Sequence, residues 1–197
     1  MKPDDLLKLI KNRRTIRKYQ NKPIPIKIIN KIIEAGRWSS SIHGYQPWKL
    51  LIIKNKTLIE NISKVLLNKS KKIGTSIKIL FSSSAETIKR GRIIIVVFNT
   101  GEFVKQAKRF GKSYRKNAKV AEISAISAAI QNMILVAESL EIGSCWLDMP
   151  LFCEKQINKL LGVKDEQLVA ILTLGYPAEE GKRSERKPIE ETVRYIR

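Results

Sequence analysis

The sequence has 197 residues, of which 43% are hydrophobic, the length and composition of one globular domain with a sizeable core. Its formal net charge of +20 makes polyanions, including nucleic acid, a class of partner to consider. The only histidine is His43 and the only cysteines are Cys145 and Cys153, which excludes zinc sites built from several imidazoles and leaves a Ser-His-acid triad one candidate base.

The positive charge is spread along the chain, without interleaved aromatic residues and without a zinc-finger, homeodomain, RNP or GxxG signature. We therefore expect no specific nucleic acid partner. The first residues lack the apolar core of a signal peptide, and apolar runs such as 50–53 and 93–98 are strand-sized. We expect a cytoplasmic protein with reduced cysteines, no metal and no membrane partner. We also expect a single domain over residues 1–197, with 179–197 as a C-terminal arm.

The first third of the chain predicts two helices, a strand and a third helix. Apolar residues recur at helical spacing in 4–12, and a second helix with a stripe of isoleucines begins at Pro25 and ends at Gly36. The apolar run 48–53 predicts a buried strand. A capping box formed by Thr57 and Glu60 then predicts the start of the next helix.

The middle of the chain contains its clearest strand. Residues 69–89 are rich in Lys and Ser with weak periodicity, and they predict only a mobile helical or irregular segment. The β-branched run 92–98 (RIIIVVF) is typical of a central strand that is covered on both faces. After a basic stretch at 105–119, residues 118–140 predict a core helix whose alanines suit close packing, including packing at a subunit interface.

The last third predicts a strand at 143–147, a helix at 154–161 that Gly162 ends, and a final strand at 168–174. Together the elements predict an α+β fold with a central mixed β-sheet flanked by helices.

Residues 13–19 (RRTIRKY) form a dense cationic segment after the first helix. The planar guanidinium group of arginine donates two parallel hydrogen bonds to phosphate oxygens, so the segment is a candidate anion site, although it could equally be a solvated basic loop. The chain contains no GxGxxG after a strand, no GxxxxGK(S/T), no GxSxG and no HExxH. These absences disfavour a Rossmann dehydrogenase or a P-loop enzyme.

Four segments, taken in order, resemble the flavin-dependent nitroreductase family. Residues 13–19 match R-R-S-x-R-x-F/Y, with Thr15 in place of serine, and 40–48 (SSIHGYQPW) match P-S-x-x-N-x-Q-P-W. Residues 141–146 (EIGSCW) match G-L/I-G-S/T-x-W, and 174–177 (LGYP) begin a motif that continues with a basic residue and a proline. The order of the motifs agrees with the family along nearly the whole chain.

The resemblance implies a nitroreductase-like homodimer with FMN at the subunit interface. It places Arg13 and Arg17 near the phosphate and ribityl chain of the flavin, and the backbone amides of 147–149 near flavin N5. A cation of the arm, Arg186 or else Arg183 or Lys187, would join them. The implied cofactor-binding residues are Arg13, Arg14, Thr15, Arg17, Ser41, Gly44, Gln46, Leu147, Asp148, Met149 and Arg186.

The sequence departs from the family at Gly44, where an Asn usually contacts the flavin or its pocket, so a side-chain donor is missing on that face. His43, beside it, is either an ordinary loop histidine or a substrate-pocket donor. We expect Trp48 to belong to the core and Cys145 to be a buried structural thiol.

The activity implied by the resemblance is reduction of nitroaromatic, quinone or related small molecules by NAD(P)H, through ping-pong hydride transfer at flavin N5. No side chain is singled out as catalytic, since solvent can supply the proton. The alternatives are another FMN reaction on the same scaffold, such as dehalogenation or dehydrogenation, a flavin carrier, or a basic nucleic-acid-associated protein. Flavin absorbance in the purified protein distinguishes the flavin-dependent functions from the nucleic-acid-associated one.

Overall fold

A computed structural model describes residues 3–196, in which helices surround a four-stranded sheet. The strands are β1 (Trp48–Ile53), β2 (Ile93–Asn99), β3 (Gly143–Leu147) and β4 (Gln167–Gly175), in the order β1-β2-β4-β3. All three neighbouring pairs are antiparallel. Within residues 3–196 the one parallel pairing is an isolated bridge between Thr15 and Ser144. The α+β class is confirmed, and the expected mixed character of the sheet rests on this bridge alone.

The helices cover both faces of the sheet. They are α1 (Pro3–Asn12), α2 (Ile26–Arg37), α3 (Lys56–Ser70), α4 (Thr75–Arg90), α5 (Glu102–Ala107), α6 (Lys112–Ser139), α7 (Glu154–Leu161) and α8 (Ile189–Thr192). Short 3-10 turns lie at Ile42–Gly44, Lys108–Phe110 and Met149–Cys153. The long helix α6 begins before the predicted 118–140, so part of the basic stretch forms its exposed first turns.

Strand β2 divides the core into two layers, as its apolar run predicted. All its residues are buried, and alternate side chains point to opposite faces of the sheet. One face contributes Ile93, Ile95 and Val97 to a cluster with α2 and α6, which includes Ile29, Ile32, Ile126, Ile130 and Met133. The other face contributes Ile94, Val96 and Phe98 to a cluster with α3 and α4, which includes Ile62, Leu66, Phe81 and Ile88.

In this region the helical alternative for residues 69–89 is confirmed, and the predicted capping box is wrong. Residues 69–89 are largely helical, since α4 packs Phe81, Ala85 and Ile88 into the core while lysines and serines occupy its other faces. The capping box at Thr57 does not form. Helix α3 begins one residue earlier, and the side chain of Asn55 accepts a hydrogen bond from Leu58 N at 2.9 Å.

The alanines of α6 mainly serve packing within the chain. Ala125, Ala129 and Ala137 are buried, and a Cβ on Gly36 of α2 would lie 2.9 Å from Met133 Cγ. Among the described helices, α6 alone has the length and apolar composition that crossing a membrane requires. Its apolar character follows from its place in the core, against α2 and the sheet.

Residues 13–20, which we call the edge segment, extend the sheet beside β3. Ile16 N donates to Ser144 O at 2.9 Å, and Gln20 N donates to Tyr176 O at 2.9 Å. The approach is close enough that a Cβ on Gly175 would lie 2.6 Å from the Tyr19 ring. Only glycine permits this contact.

The phenol of Tyr19 secures the edge segment from within the core. The side chain is buried, and its hydroxyl donates to Ile16 O at 2.6 Å and lies 2.7 Å from Thr173 Oγ1. Burial raises the pKa of this phenol above its ordinary value, so it stays protonated as a donor.

We predict that Tyr19→Phe lowers the free energy of unfolding by about 1–3 kcal/mol, because Ile16 O loses a buried donor. Urea titration followed by circular dichroism measures the change. Tyr114→Phe is the matched control, since Tyr114 is partly exposed on α6, and it should change stability little. Equal effects of the two substitutions would show that the Tyr19 hydroxyl does not hold the edge segment.

Candidate functional site

A cleft of about 410 Å³, which we call the edge cleft, lies between the edge segment, α4 and the C-terminal arm. Its size is within the usual range of small-molecule sites. The cleft is lined by Thr15, Arg17, Lys18, Ser83, Glu86, Thr87, Arg90, Glu179, Glu180 and Lys182. Strand pairing places the first three of these residues, α4 presents the next four, and the arm brings the last three.

Internal contacts leave the edge cleft positively charged. Glu179 Oε1 accepts hydrogen bonds from Arg17 N at 2.7 Å and Lys18 N at 3.1 Å. Glu86 pairs with Arg90 at 3.1 Å. The lining as a whole has four cationic side chains and three carboxylates, which gives it a formal net charge of +1. This arrangement suits an anionic ligand such as a phosphate.

Two arginines of the predicted cluster lie outside the lining of this cleft. Arg14 Nη1 donates to Lys11 O at 2.6 Å and to Arg13 O at 2.8 Å, where it satisfies backbone carbonyls at the end of α1. Arg13 is half-buried, and its charge acts on Glu138 and Cys145. Burial nevertheless raises the pKa of Glu138, and the two arginines oppose that shift.

The arm brings Lys182 to the edge cleft rather than the predicted Arg186. Arg186 is exposed, and its guanidinium donates to Ser184 Oγ and Glu185 O. The reason is the course of the arm, which Glu179 ties to the edge segment. At Gly181 the arm crosses Arg14 so closely that a Cβ would lie 2.0 Å from Arg14 Cβ. Lys182, which follows Gly181, is therefore the cation that the arm brings to the edge cleft.

The end of β3 presents backbone groups at the same edge of the sheet. Ser144 O faces the edge segment, and because backbone groups alternate along a strand, Asp148 N–H is directed to this edge as well. Within residues 3–196 no hydrogen bond from Asp148 N–H is formed. Leu147 is buried in the core, Asp148 is exposed and Met149 is half-buried. The predicted segment 147–149 therefore offers a backbone donor rather than a side chain.

Cys145 lies in β3, at the same edge of the sheet, and its thiol is buried. Burial raises its pKa to about 11, and the Arg17 guanidinium opposes this shift. Burial also raises the pKa of Cys153. Both cysteines are free and buried, as the sequence predicted for Cys145.

The loop 40–47 holds the remaining predicted residues. Ser41 Oγ accepts a hydrogen bond from Gln46 N at 3.2 Å and so closes the loop. His43, Gly44 and Gln46 all have positive φ angles, of 44°, 74° and 47°. The rings of His43 and Tyr45 contact Phe103 of α5, with centroids 5.7 Å and 5.0 Å apart. Trp48, which follows the loop, is half-buried against the core as predicted.

The structure does not bring this loop to the edge cleft of the same chain. The loop enters β1, which is one outer strand of the sheet, and the edge segment lies beside β3, which is the other. Three strand spacings of about 4.8 Å put roughly 14 Å between β1 and β3. The residues implied by the family motifs thus form two separate groups in one chain.

The sequence analysis missed the contribution of α4. Ser83, Glu86, Thr87 and Arg90 stand at positions i, i+3, i+4 and i+7, so they form one polar face of the helix. This spacing is visible in the sequence. It was overlooked because residues 69–89 as a whole show weak apolar periodicity.

Comparison with known proteins agrees with the fold. The model of the nitroreductase family matches residues 10–176. A Bacillus subtilis protein provisionally named as an NAD(P)H nitroreductase is 26% identical over 187 residues, covering 92% of this chain and 89% of that protein. Human iodotyrosine deiodinase 1 is 28% identical over 204 residues, covering 96% of this chain and 68% of that protein. A Bacteroides fragilis nitroreductase with bound FMN shares the fold, with a TM-score of 0.75 at 24% identity, covering 98% of this chain and 99% of that one.

We predict that Gly44→Ala destabilises the protein by about 1–2 kcal/mol and Gly44→Asn by less. At φ 74° a Cβ meets no neighbouring atom, so the cost is that of a left-handed backbone, which Asn tolerates best. Thermal unfolding of the two variants measures the difference. Equal losses would show that this backbone conformation does not determine the choice of glycine.

We further predict that iodoacetamide at pH 8 leaves both cysteines of the native protein unmodified. With a pKa of about 11, roughly one in a thousand Cys145 thiols is ionised at this pH, and burial also blocks access. Mass spectrometry measures the extent of labelling in the native protein, with urea-denatured protein as the control. Rapid labelling of Cys145 in the native state would contradict the described packing of β3.

Proposed function

The chain belongs to the nitroreductase family, and on that premise we propose that it is an FMN-dependent oxidoreductase that uses NAD(P)H to reduce a small-molecule acceptor. The observation that carries the proposal is the edge cleft. Two of its four cations, Arg17 and Lys18, come from the same family motif, residues 13–19, to which the resemblance assigns the flavin phosphate. The names of relatives such as the Bacillus subtilis protein support the choice of NAD(P)H as the donor.

The donor set of the edge cleft fits FMN. Arg17, Lys18 and Lys182 would hold the phosphate, and the hydroxyls of Thr15 and Ser83 would bind the ribityl chain. Asp148 N–H, directed to the same edge, is the proposed donor to the flavin ring. When bound, FMN supplies two-electron chemistry, taking a hydride from the nicotinamide and passing it to the acceptor.

In this proposal the residues of the chain bind and orient FMN and the substrates, and none of them is required to transfer a proton. The absence of a dinucleotide fingerprint from the sequence agrees with a donor and an acceptor that use one open pocket in turn. Nitroaromatics and quinones are the proposed acceptors. We place the protein in the cytoplasm, in keeping with its free, buried cysteines.

We propose that the protein acts as a homodimer in which each site combines the edge cleft of one protomer with the loop 40–47 of its partner. The separation of these two groups in one chain supports this arrangement. Exposed apolar side chains are also present, among them Leu6, Leu7 and Ile10 of α1, which are 40–48% exposed. Burial of such side chains favours association.

A second candidate function is reductive dehalogenation, because human iodotyrosine deiodinase 1 matches over 96% of this chain. The two activities differ in the acceptor. Purified protein given NAD(P)H and, in separate assays, a nitroaromatic, a quinone or a halogenated phenol distinguishes them. Turnover of the halogenated phenol alone would replace the nitroreductase assignment with dehalogenation.

We predict that Arg17→Ala lowers FMN affinity by at least about tenfold, since one lost charge-assisted hydrogen bond costs roughly 1.5–3 kcal/mol. Equilibrium dialysis measures the affinity, and circular dichroism checks the fold. Lys155→Ala with Lys159→Ala removes two exposed cations of α7 and should leave FMN binding unchanged. Unchanged affinity in the arginine variant would refute the assignment of the phosphate to residues 13–17.

We also predict a dimer at micromolar concentration in analytical ultracentrifugation. Replacing Leu7 and Ile10 by Ser should shift the population toward monomer, because their exposed side chains belong to the proposed contact surface. Replacing Ile77 and Ile79, exposed apolar residues of α4, is the control. A stable wild-type monomer that retains flavin would contradict the shared site.

A further inference from the structure

A second cleft, larger than the edge cleft, opens where β2 ends and β4 begins. Its volume is about 630 Å³, and we call it the basic cleft. Six cations line it, contributed by α5, α6 and the turn between them: Lys105, Lys108, Lys112, Arg115, Lys116 and Lys119. The spacing of these residues places them along helix faces that converge on one cavity.

These cations are not paired with carboxylates in the described part of the chain. Among residues 3–196, none of the six forms an ion pair. Two carboxylates line the cleft. That of Glu122 is buried and accepts hydrogen bonds from Asn99 Nδ2 at 2.8 Å and Val104 N at 3.1 Å, while Asp165 is exposed. So many like charges around one cavity repel each other, and a multiply charged anion would relieve that repulsion.

The basic cleft also contains an unsatisfied polar group. Thr100 Oγ1 is buried and has no hydrogen-bond partner in the described part of the chain. Such groups are rare in folded proteins because leaving them unpaired is costly. A ligand that brings hydrogen-bonding oxygens into the cleft would supply the missing partner.

The position of the basic cleft connects it with the proposed flavin site. Helix α5 separates the cleft from the loop 40–47: Phe103 contacts His43 and Tyr45, whereas Val104 and Lys105 line the cleft. If that loop completes the partner's flavin site, the basic cleft lies one helix away from the place where nicotinamide must react. In a nicotinamide dinucleotide the phosphates lie at a distance from the reactive ring. The ring could therefore reach the flavin while the phosphates occupy the basic cleft.

We propose that the basic cleft binds the adenosine phosphates of the nicotinamide co-substrate and selects NADPH over NADH. This inference rests on the proposed function, because it takes NAD(P)H as the electron donor. The 2′-phosphate of NADPH adds up to two negative charges, and lysine and arginine side chains that are not paired with carboxylates are suited to bind it. Thr100 Oγ1 is the candidate hydrogen-bond partner inside the cleft.

The test uses adenosine 2′,5′-bisphosphate as the probe and adenosine 5′-monophosphate as its comparison. Calorimetry at physiological salt measures both affinities in the wild-type protein and in two triple variants. The cleft variant is Lys108→Gln, Lys112→Gln and Lys116→Gln. The control variant, Lys56→Gln, Lys64→Gln and Lys71→Gln, removes the same charge from exposed positions on and beside α3.

We expect the bisphosphate to bind the wild-type protein more tightly than the monophosphate, and the cleft variant to lose at least about tenfold in affinity for it. The KM for NADPH should rise by a similar factor, with less change in the KM for NADH. The control variant should behave as wild type. Equal losses in both variants, or no preference for the bisphosphate, would overturn the proposal, and so would duplex DNA that competes fully with the probe at physiological salt.

Failure of this inference can be told from failure of the proposed function. Binding of the bisphosphate is measured without turnover, while FMN content and reoxidation by the acceptor of enzyme that was first reduced with dithionite and then freed of it test the flavin chemistry alone. A protein that retains FMN and reduces acceptors, yet shows no loss of bisphosphate affinity in the cleft variant, refutes only the role of the basic cleft. A protein that binds the bisphosphate in the cleft but retains no FMN refutes the proposed function and keeps the nucleotide site.

Discussion

The pairing of residues 13–20 with the open edge of β3 and with residues 176–178, which follow β4, is the interaction on which the candidate site depends. It converts a flexible cationic segment into a fixed row of side chains, because Ile16 N donates to Ser144 O and Ala178 N donates to Lys18 O. Gly175 permits the contact, and the buried hydroxyl of Tyr19 secures it. The C-terminal arm is held by the same segment through Glu179, so its cation reaches the cleft only while this pairing is intact.

The order of the strands explains why one chain holds only part of the proposed site. With β1 and β3 as the two outer strands, the loop before β1 and the segment beside β3 point away from each other across a rigid sheet. The core on both faces of β2 prevents any rearrangement that would join them, since Val96 and its neighbours are buried on either side. In the proposed dimer a second protomer would resolve this separation, and the exposed apolar residues of α1 are the surface proposed for it.

The sequence predicted those elements whose apolar pattern is clear, because the isoleucine stripe of α2 marks the face that meets the core and the uninterrupted apolar run of β2 marks a strand covered on both faces. It failed where the face of an element is defined by polar residues, as in α4, whose Ser83 and Thr87 line the edge cleft. The motifs located the segments of the site but not the direction of each side chain. Arg14 donates to carbonyls at the end of α1, and Lys182 rather than Arg186 lines the edge cleft, because backbone contacts made elsewhere decide where these side chains lie.

The most direct test of a site shared between protomers is half-site complementation. One variant carries Arg17→Ala and Lys182→Ala in the edge cleft, and a second carries His43→Glu and Gln46→Glu in the loop, where both residues are exposed. Each variant alone should retain little FMN. A mixed dimer, isolated through two different affinity tags, contains one site with all four substitutions and one site with none, so we expect it to retain about one FMN per dimer. Mixed dimers that retain no more FMN than either parent would show that each chain forms its site alone.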